Sequence, residues 1–392
     1  MPQKRTVYLD YSASTPTDPR IVEAMMPYFT EVFGNASSAH AFGRKAENAI
    51  ETARETVAKI FNCKSKEIIF TSGGSESDNL ALRGAAWASK QKNGANHLIT
   101  TPIEHSAVSK TMAQLAEVMD FDLTILPVDE AGLISLKNLE AAITEQTSVV
   151  SIIYANNEVG TVNPMPEIGK TTKKHNILFH TDAVQAAGQL SLDVEELGVD
   201  MMSISGHKFY GPKGVGVLFV REGVELIPSQ SGGSHEHGIR AGTHNTPFIV
   251  GLAKALELAY EERDERLAHV TKLRDMLVDG ITARIPQAHL TGHPEQRLPS
   301  HASFVFDDMD ANKLLIHMDM RGVAASSASA CKTGNPEPSG TLLALGYKRE
   351  DAFGGLRLTV SHHTSEEDIA YAIDVIVESA ETVYKLQKTL AK

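Results

Sequence analysis

The sequence predicts an α/β protein: a mostly parallel sheet of about seven strands, followed by a smaller α+β region. Three observations predict it. Short apolar runs alternate with helical segments from Glu67 to Val220, and the pattern changes after Thr246-Pro247. The length, 392 residues at about 150 per domain, allows two to three domains.

The runs are 68–71, 98–100, 123–126, 149–154, 177–179, 201–204 and 215–220. Each is brief, bounded by polar residues or glycine, and apolar on both faces, as strands in a covered sheet are. Between them, segments such as 76–92, 106–118 and 167–175 are long enough for helices. A loop joins the last two candidate strands, which predicts one antiparallel pair. Farther on, Leu252, Leu256, Tyr260, Leu267, Val270, Leu277 and Ile281 keep helical spacing. That spacing predicts one long helix, or two broken near Gly280. Strands at 303–306 and 356–360 and helices near 312–320 and 366–386 complete the second region. Thr364 and Glu367 have the spacing of a capping box for the last helix. The expected division is a large domain over 16–260 and a small domain built from 1–15 and 261–392.

Apolar residues at 42% and charged residues at 22% exclude disorder, collagen-like repeats and a disulfide scaffold. Lys plus Arg is 37 and Asp plus Glu is 49, a net charge of −12. With no basic cluster, direct nucleic-acid binding is not expected. Two cysteines, Cys63 and Cys331, fit a reducing compartment. No signal core and no bilayer-length apolar run is visible, so a cytoplasmic protein without a membrane partner is expected. Gly169-Lys170-Thr171 imitates the end of a phosphate loop, but Pro164 stands where its first glycine belongs.

The strongest chemical signal is Ser205-Gly206-His207-Lys208, directly after a candidate strand and before Gly211-Pro212-Lys213-Gly214. A lysine fixed there among small residues suits imine formation with a carbonyl cofactor, although most loop lysines are simply solvated. Asp182 directly follows the preceding strand and lies about one βαβ step before Lys208, so both come out at the same sheet edge. A carboxylate there can keep a pyridine nitrogen protonated; the bland reading is a helix N-cap. Ser72-Gly73-Gly74-Ser75 would let a phosphate approach a helix N-terminus. His105 could stack on a ring or move protons, and Asn156-Asn157-Glu158 ends another strand. Four loops with imine, phosphate and ring partners point to pyridoxal phosphate.

Cys331 lies in a Ser/Ala/Gly-rich stretch that cannot pack a core. Its thiol is expected to be accessible on a mobile loop, about 326–338, with Lys332 favouring the thiolate. Cys63 has no expected role. His235-Glu236-His237 and His362-His363 lack further ligands at structural-zinc spacing, so no metal is expected.

With these residues in place, the sequence resembles the cysteine desulfurases, in the class V aminotransferase group of fold type I pyridoxal phosphate enzymes. The match includes Tyr8-Leu9-Asp10-Tyr11-Ser12-Ala13, Gly34-Asn35, Thr71-Ser72-Gly73, Glu76-Ser77-Asp78-Asn79, Ser205 to Gly214 and Arg240-Ala241-Gly242-Thr243. The stretch Ser326-Ser327-Ala328-Ser329-Ala330-Cys331 is similar to the longer cysteine loop of the desulfurase branch. The resemblance implies that Lys208 carries the cofactor, Asp182 pairs with the ring nitrogen, Gln185 contacts the ring hydroxyl and His105 stacks on the ring. Gly74, Ser75, Ser205 and His207 would hold the phosphate end, with Asn157 a further contact. Thr243 would reach in from the second subunit of a homodimer. Arg357, with Asn35 and Asn157, would bind the substrate carboxylate.

The implied reaction converts L-cysteine to L-alanine and leaves the sulfur on Cys331 as a persulfide. An acceptor protein in iron–sulfur cluster assembly or thiolation would then take it. The sequence departs from the family pattern at Ala36, at Ala328, over 232–238 and over 359–364. The alternatives are a sibling lyase or aminotransferase that needs no Cys331, such as a selenocysteine or cystine lyase, and a non-catalytic scaffold.

Overall fold

The computed structural model describes residues 5–327 and 337–390, so Cys331 and Ala328 lie outside the described residues. A short strand β1 (Val7–Tyr8) precedes seven strands that form the large sheet. These are β2 (Ile68–Thr71), β3 (His97–Thr100), β4 (Asp122–Ile125), β5 (Thr147–Ser151), β6 (Leu178–Asp182), β7 (Met201–Ser205) and β8 (Gly216–Val220). Their order is β2-β8-β7-β6-β5-β3-β4. Strand β8 runs antiparallel to both neighbours, and every other pair is parallel. The two reversals at β8 cancel, so β2 ends at the same edge as the parallel strands.

Neighbouring residues on these strands enter different cores. Ile68 and Phe70 pack with Val150, Phe179 and Val217 on one face. Ile69 packs with Leu98, Val149 and Leu218 on the other. This two-sided burial is why the inner runs read as continuously apolar; the run at 123–126 departs from that expectation, because β4 is an edge strand with Ile125 exposed.

The second sheet contains β9 (Ala288–Leu290), β10 (His301–Phe306), β12 (Ser326–Ser327) and β13 (Gly355–Thr359), while β11 (Val323–Ala324) pairs in parallel with β1. The antiparallel order is β12-β13-β10-β9, with its own core of Leu273, Leu277, Phe304, Leu358 and Ile376. The N-terminal segment joins this side, because Asp10 bridges Thr359 and Leu9 O accepts Thr359 N at 2.8 Å.

Two local expectations are corrected. The long helical stretch breaks at Glu262, between helices Thr246–Glu261 and Arg263–Arg284. Gly280 lies inside the second helix, where an added Cβ would sit 2.6 Å from Ile373 Cδ1; the glycine marks a close helix contact. The capping box belongs to Ser365 and Asp368, one residue later than expected: Asp368 N donates to Ser365 Oγ and Ser365 N to Asp368 Oδ2, both at 3.1 Å. Thr364 instead accepts from Ser361 N at 3.2 Å, closing the turn before the helix.

Gly169 confirms the rejection of a phosphate loop. It sits inside helix Met165–Lys174, and a Cβ there would lie 2.7 Å from Leu197 O and 2.9 Å from Gly198 Cα. Both obstacles are backbone. Gly169→Ala should therefore destabilise the fold by roughly 1–3 kcal/mol, read from the denaturant midpoint, whereas an unchanged midpoint would refute this close approach.

Candidate active site

The carboxyl ends of the large sheet deliver five loops to one edge, the place where open α/β sheets bind ligands. A cavity of about 290 Å³ there is lined by Gly74, Ser75, His105, Asn157, Asp182, Gln185, Ser205, His207, Lys208 and Arg357, together with Ser12, Ala13, Asp78, Ile153 and Val184. Ten of the expected site residues thus meet in one place. Asn35 and Thr243 do not line it; both are exposed on this chain.

Lys208 follows β7 through a single turn, Gly206–Lys208. Its Nζ donates to Ser12 O at 2.5 Å and to Ala13 O at 3.0 Å. Burial, then the Arg357 charge, lowers the amine to about 8. Asp182 is also buried, which pushes its carboxyl up, while the Val184 N–H donated to Oδ1 at 2.9 Å and the charges of His105 and Lys208 pull it down. Asp182 therefore favours the amine's charge from nearby, yet the direct partners of Nζ are neutral carbonyls. The N-terminal segment fixes this geometry: Gln185 Nε2 donates to Ser12 O at 2.9 Å and Thr15 N to His207 O at 3.0 Å.

At the opposite end, helix Gly74–Asn93 begins against the cavity. Its N-cap, Gly73, has φ 152° and ψ 176°, a conformation that side-chain-bearing residues rarely adopt. A Cβ on Gly216 of β8 would lie 2.7 Å from Gly73 Cα, so a second glycine lets β8 pass beneath this turn. The unpaired N–H groups of a 20-residue helix end, with Ser75, Ser205 and His207, form an anion cradle. Burial and the charges of Lys208 and Lys213 lower His207 to about 4, so it enters the cradle as a neutral ring.

Three acidic groups here carried no role in the sequence reading. Asp78 lines the cavity, and its Oδ1 is buried with no hydrogen-bond partner among the described residues. Burial and the Asp182 charge hold its carboxyl well above the usual range. Glu104, next to His105, is raised to about 8 by burial, with Thr101 Oγ1 and Ile153 N donating to Oε1 at 2.7 and 2.9 Å. Asp10 meets Arg357, with Nη2 donating to Oδ1 at 2.8 Å. Asp78 and Asp10 stand in the motif stretches Glu76-Ser77-Asp78-Asn79 and Tyr8 to Ala13, and no further local signal marked any of the three.

Asp78, His105 and Asp182 are the one trio among the described residues whose donor atoms lie within 4.8 Å of one another, and they sit in this cavity. His235 and His237 flank Glu236, which is buried and bonded by Arg54 Nη1 and Nη2 at 2.8 and 2.9 Å and by His244 Nε2 at 2.7 Å. That stretch is thus organised around its glutamate. His362 and His363 form a tilted ring pair with centroids 4.0 Å apart, and both meet Tyr210 edge-on, at 4.4 and 5.7 Å.

A family model described as Aminotransferase class-V matches residues 7–371. The chain belongs to the class-V aminotransferase family. Within it, a cysteine desulfurase IscS from Clostridium botulinum is 47% identical over 374 residues, covering 95% of this chain and 94% of that protein. A cysteine desulfurase IscS from Methanosarcina thermophila is 45% identical over 376 residues, covering 96% and 92%. Among solved structures, a NifS-like protein superposes with a TM-score of 0.90 at 38% identity, over 96% of this chain and 100% of its own. A structure described as SspA in complex with cysteine gives 0.80 at 36% identity, over 92% and 100%.

Class-V aminotransferase enzymes are pyridoxal-phosphate dependent, and this cavity fits that cofactor. It offers an amine for the aldehyde carbon, a buried carboxyl group for the ring nitrogen, and a helix N-terminus with two hydroxyls for the phosphate. In the cofactor-free protein, acylation of Lys208 should rise with pH around a midpoint near 8, because the neutral amine reacts. A midpoint above about 10, mapped to Lys208 by mass spectrometry, would contradict the burial argument.

Proposed function

We propose that this class-V aminotransferase family member is a pyridoxal-phosphate-dependent cysteine desulfurase. It converts L-cysteine to L-alanine and transfers the sulfur to Cys331. The observation that carries this reading is the convergence of Lys208, Asp182 and Arg357 on one 290 Å³ cavity, in a chain 45–47% identical to cysteine desulfurases.

Pyridoxal phosphate bound in the cavity supplies an electron-poor ring that accepts negative charge from the substrate Cα. Ser75, Ser205, His207 and the helix N-terminus would hold its phosphate, and Asp182 would pair with the ring nitrogen. His105 would stack on the ring, Gln185 would bond its hydroxyl, and Gly74 and Asn157 would complete the contacts. Arg357, with Asn35 and Asn157, orients the substrate carboxylate. The Lys208 amine, lowered to about 8 by burial and the Arg357 charge, would take the Cα proton as the base. The Cys331 thiolate then attacks the substrate sulfur, forming an S–S bond as the substrate C–S bond breaks. Returned protons complete alanine. The structure described as SspA in complex with cysteine supports this substrate choice.

The persulfide would pass to an acceptor protein, with iron–sulfur cluster assembly or thiolation as its destination. A homodimer accounts for Thr243 and Asn35 lying outside this chain's own cavity. The exposed Phe29, Phe33 and Phe42 supply apolar surface for such pairing. No helix among the described residues is long and apolar enough to cross a membrane. A reducing cytoplasm suits a chain with two cysteines, of which Cys63 is free.

Cys331→Ala should retain the cofactor's visible absorption and lose sulfide release from L-cysteine by about a hundredfold or more, measured with excess thiol present. Full turnover in that variant would make the protein a lyase that needs no acceptor thiol.

A further inference from the structure

Arg357 lies on β13 at the cavity wall, and its guanidinium is only partly committed. Nη2 donates to Asp10 Oδ1 at 2.8 Å and Nη1 to Asn157 O at 2.9 Å. Its Nε is buried with no partner among the described residues. The structural arginine of this fold looks different. Arg54 spends Nε on Glu51, Nη1 on both Ile68 O and Glu236, and Nη2 on Glu236 again. Arg357 therefore keeps N–H groups for another acceptor, which a purely structural guanidinium does not.

Asp10 is built to hold that fork still. Asp10 Oδ1 takes the guanidinium and Oδ2 accepts from Ser326 Oγ at 3.1 Å. Ser326 faces Arg357 across the β12–β13 ladder, so both donors come from one short register. The Asp10 backbone is fixed as well, by its bridge to Thr359 and by Tyr8 Oη donating to its carbonyl at 2.9 Å. The ion pair is largely covered, with side-chain exposures of 11% for Arg357 and 17% for Asp10. Asp10 does not line the cavity, so anything it does to a ligand passes through Arg357.

We propose that Asp10 is a positioning residue for substrate recognition: with the Asn157 carbonyl, it fixes the Arg357 guanidinium so that the remaining N–H groups meet the amino-acid carboxylate. This rests on the reading of Arg357 as the carboxylate-binding group. Ser326 completes the device by bonding the second Asp10 oxygen. A two-point hold on a planar fork sets its direction, and a bidentate carboxylate contact is sensitive to direction.

The test uses the holoenzyme with L-cysteine and with L-cysteine ethyl ester, which lacks the anionic carboxylate, following the change in cofactor absorbance on binding. Asp10→Asn preserves shape and can still accept a hydrogen bond. It should raise the KM for L-cysteine about tenfold with kcat changed little, leave ester binding unchanged, and so reduce the preference for the acid. Asp10→Glu should restore part of that preference, and Ser326→Ala should show the same shift in smaller degree.

Equal losses for acid and ester would mean a structural ion pair and overturn the proposal. A lowered KM in Asp10→Asn would mean that Asp10 competes with the substrate, which overturns it too. Arg357→Gln separates the two readings. If it abolishes the acid preference while Asp10→Asn does not, the Asp10 proposal fails alone; if it leaves the preference intact, the reading of Arg357 fails first.

Discussion

The site depends on placing a buried amine and a buried carboxyl group in one cavity without letting them form a contact ion pair. Burial drives the two groups in opposite directions: it lowers Lys208 and raises Asp182, because each charged form loses water. A carboxylate bonded directly to Nζ would pin the amine as ammonium and remove it as a base. Here Nζ rests on two backbone carbonyls, and Asp182 Oδ1 on the Val184 N–H. The carboxyl group stays available for a ring nitrogen while the amine stays near the point of deprotonation.

The fold supplies this separation through backbone placement. Lys208 and Asp182 leave adjacent parallel strands, β7 and β6, so they share an edge yet sit on different loops. The carbonyls come from the N-terminal segment, which pairs with the second sheet through Leu9 and Asp10 before crossing to His207. That segment connects the amine, the Arg357 ion pair and the second core. The glycines at 73 and 216 make room at the other end of the cavity, where a helix N-terminus must approach a strand closely.

The inner strands of the large sheet were legible because adjacent residues feed separate cores, which leaves an unbroken apolar mark in the sequence. Lys208, Asp182, His105 and Ser75 were legible for a related reason, since strand ends can be found and parallel strands share an edge. What escaped depends on contacts between distant segments. Asp10 and Arg357 are 347 residues apart, and nothing local indicates that β13 will lie beside the N-terminus. Gly280 reads as a helix breaker until the packing of Ile373 against it is known. Glu236 was hidden by its two histidines, although its buried bonds to Arg54 organise that loop. Asn35 and Thr243 could be assigned from motifs alone, because their proposed partner is a second chain.

The central claim is that Lys208 is the amine that holds the cofactor and then frees itself to act as the base. Reduction of the holoenzyme with borohydride, followed by proteolysis and mass spectrometry, tests it most directly. The account predicts the reduced cofactor's mass on the peptide containing Lys208 and on no other. The same mass on a different lysine, or bleaching of the chromophore with no residue modified, would contradict it.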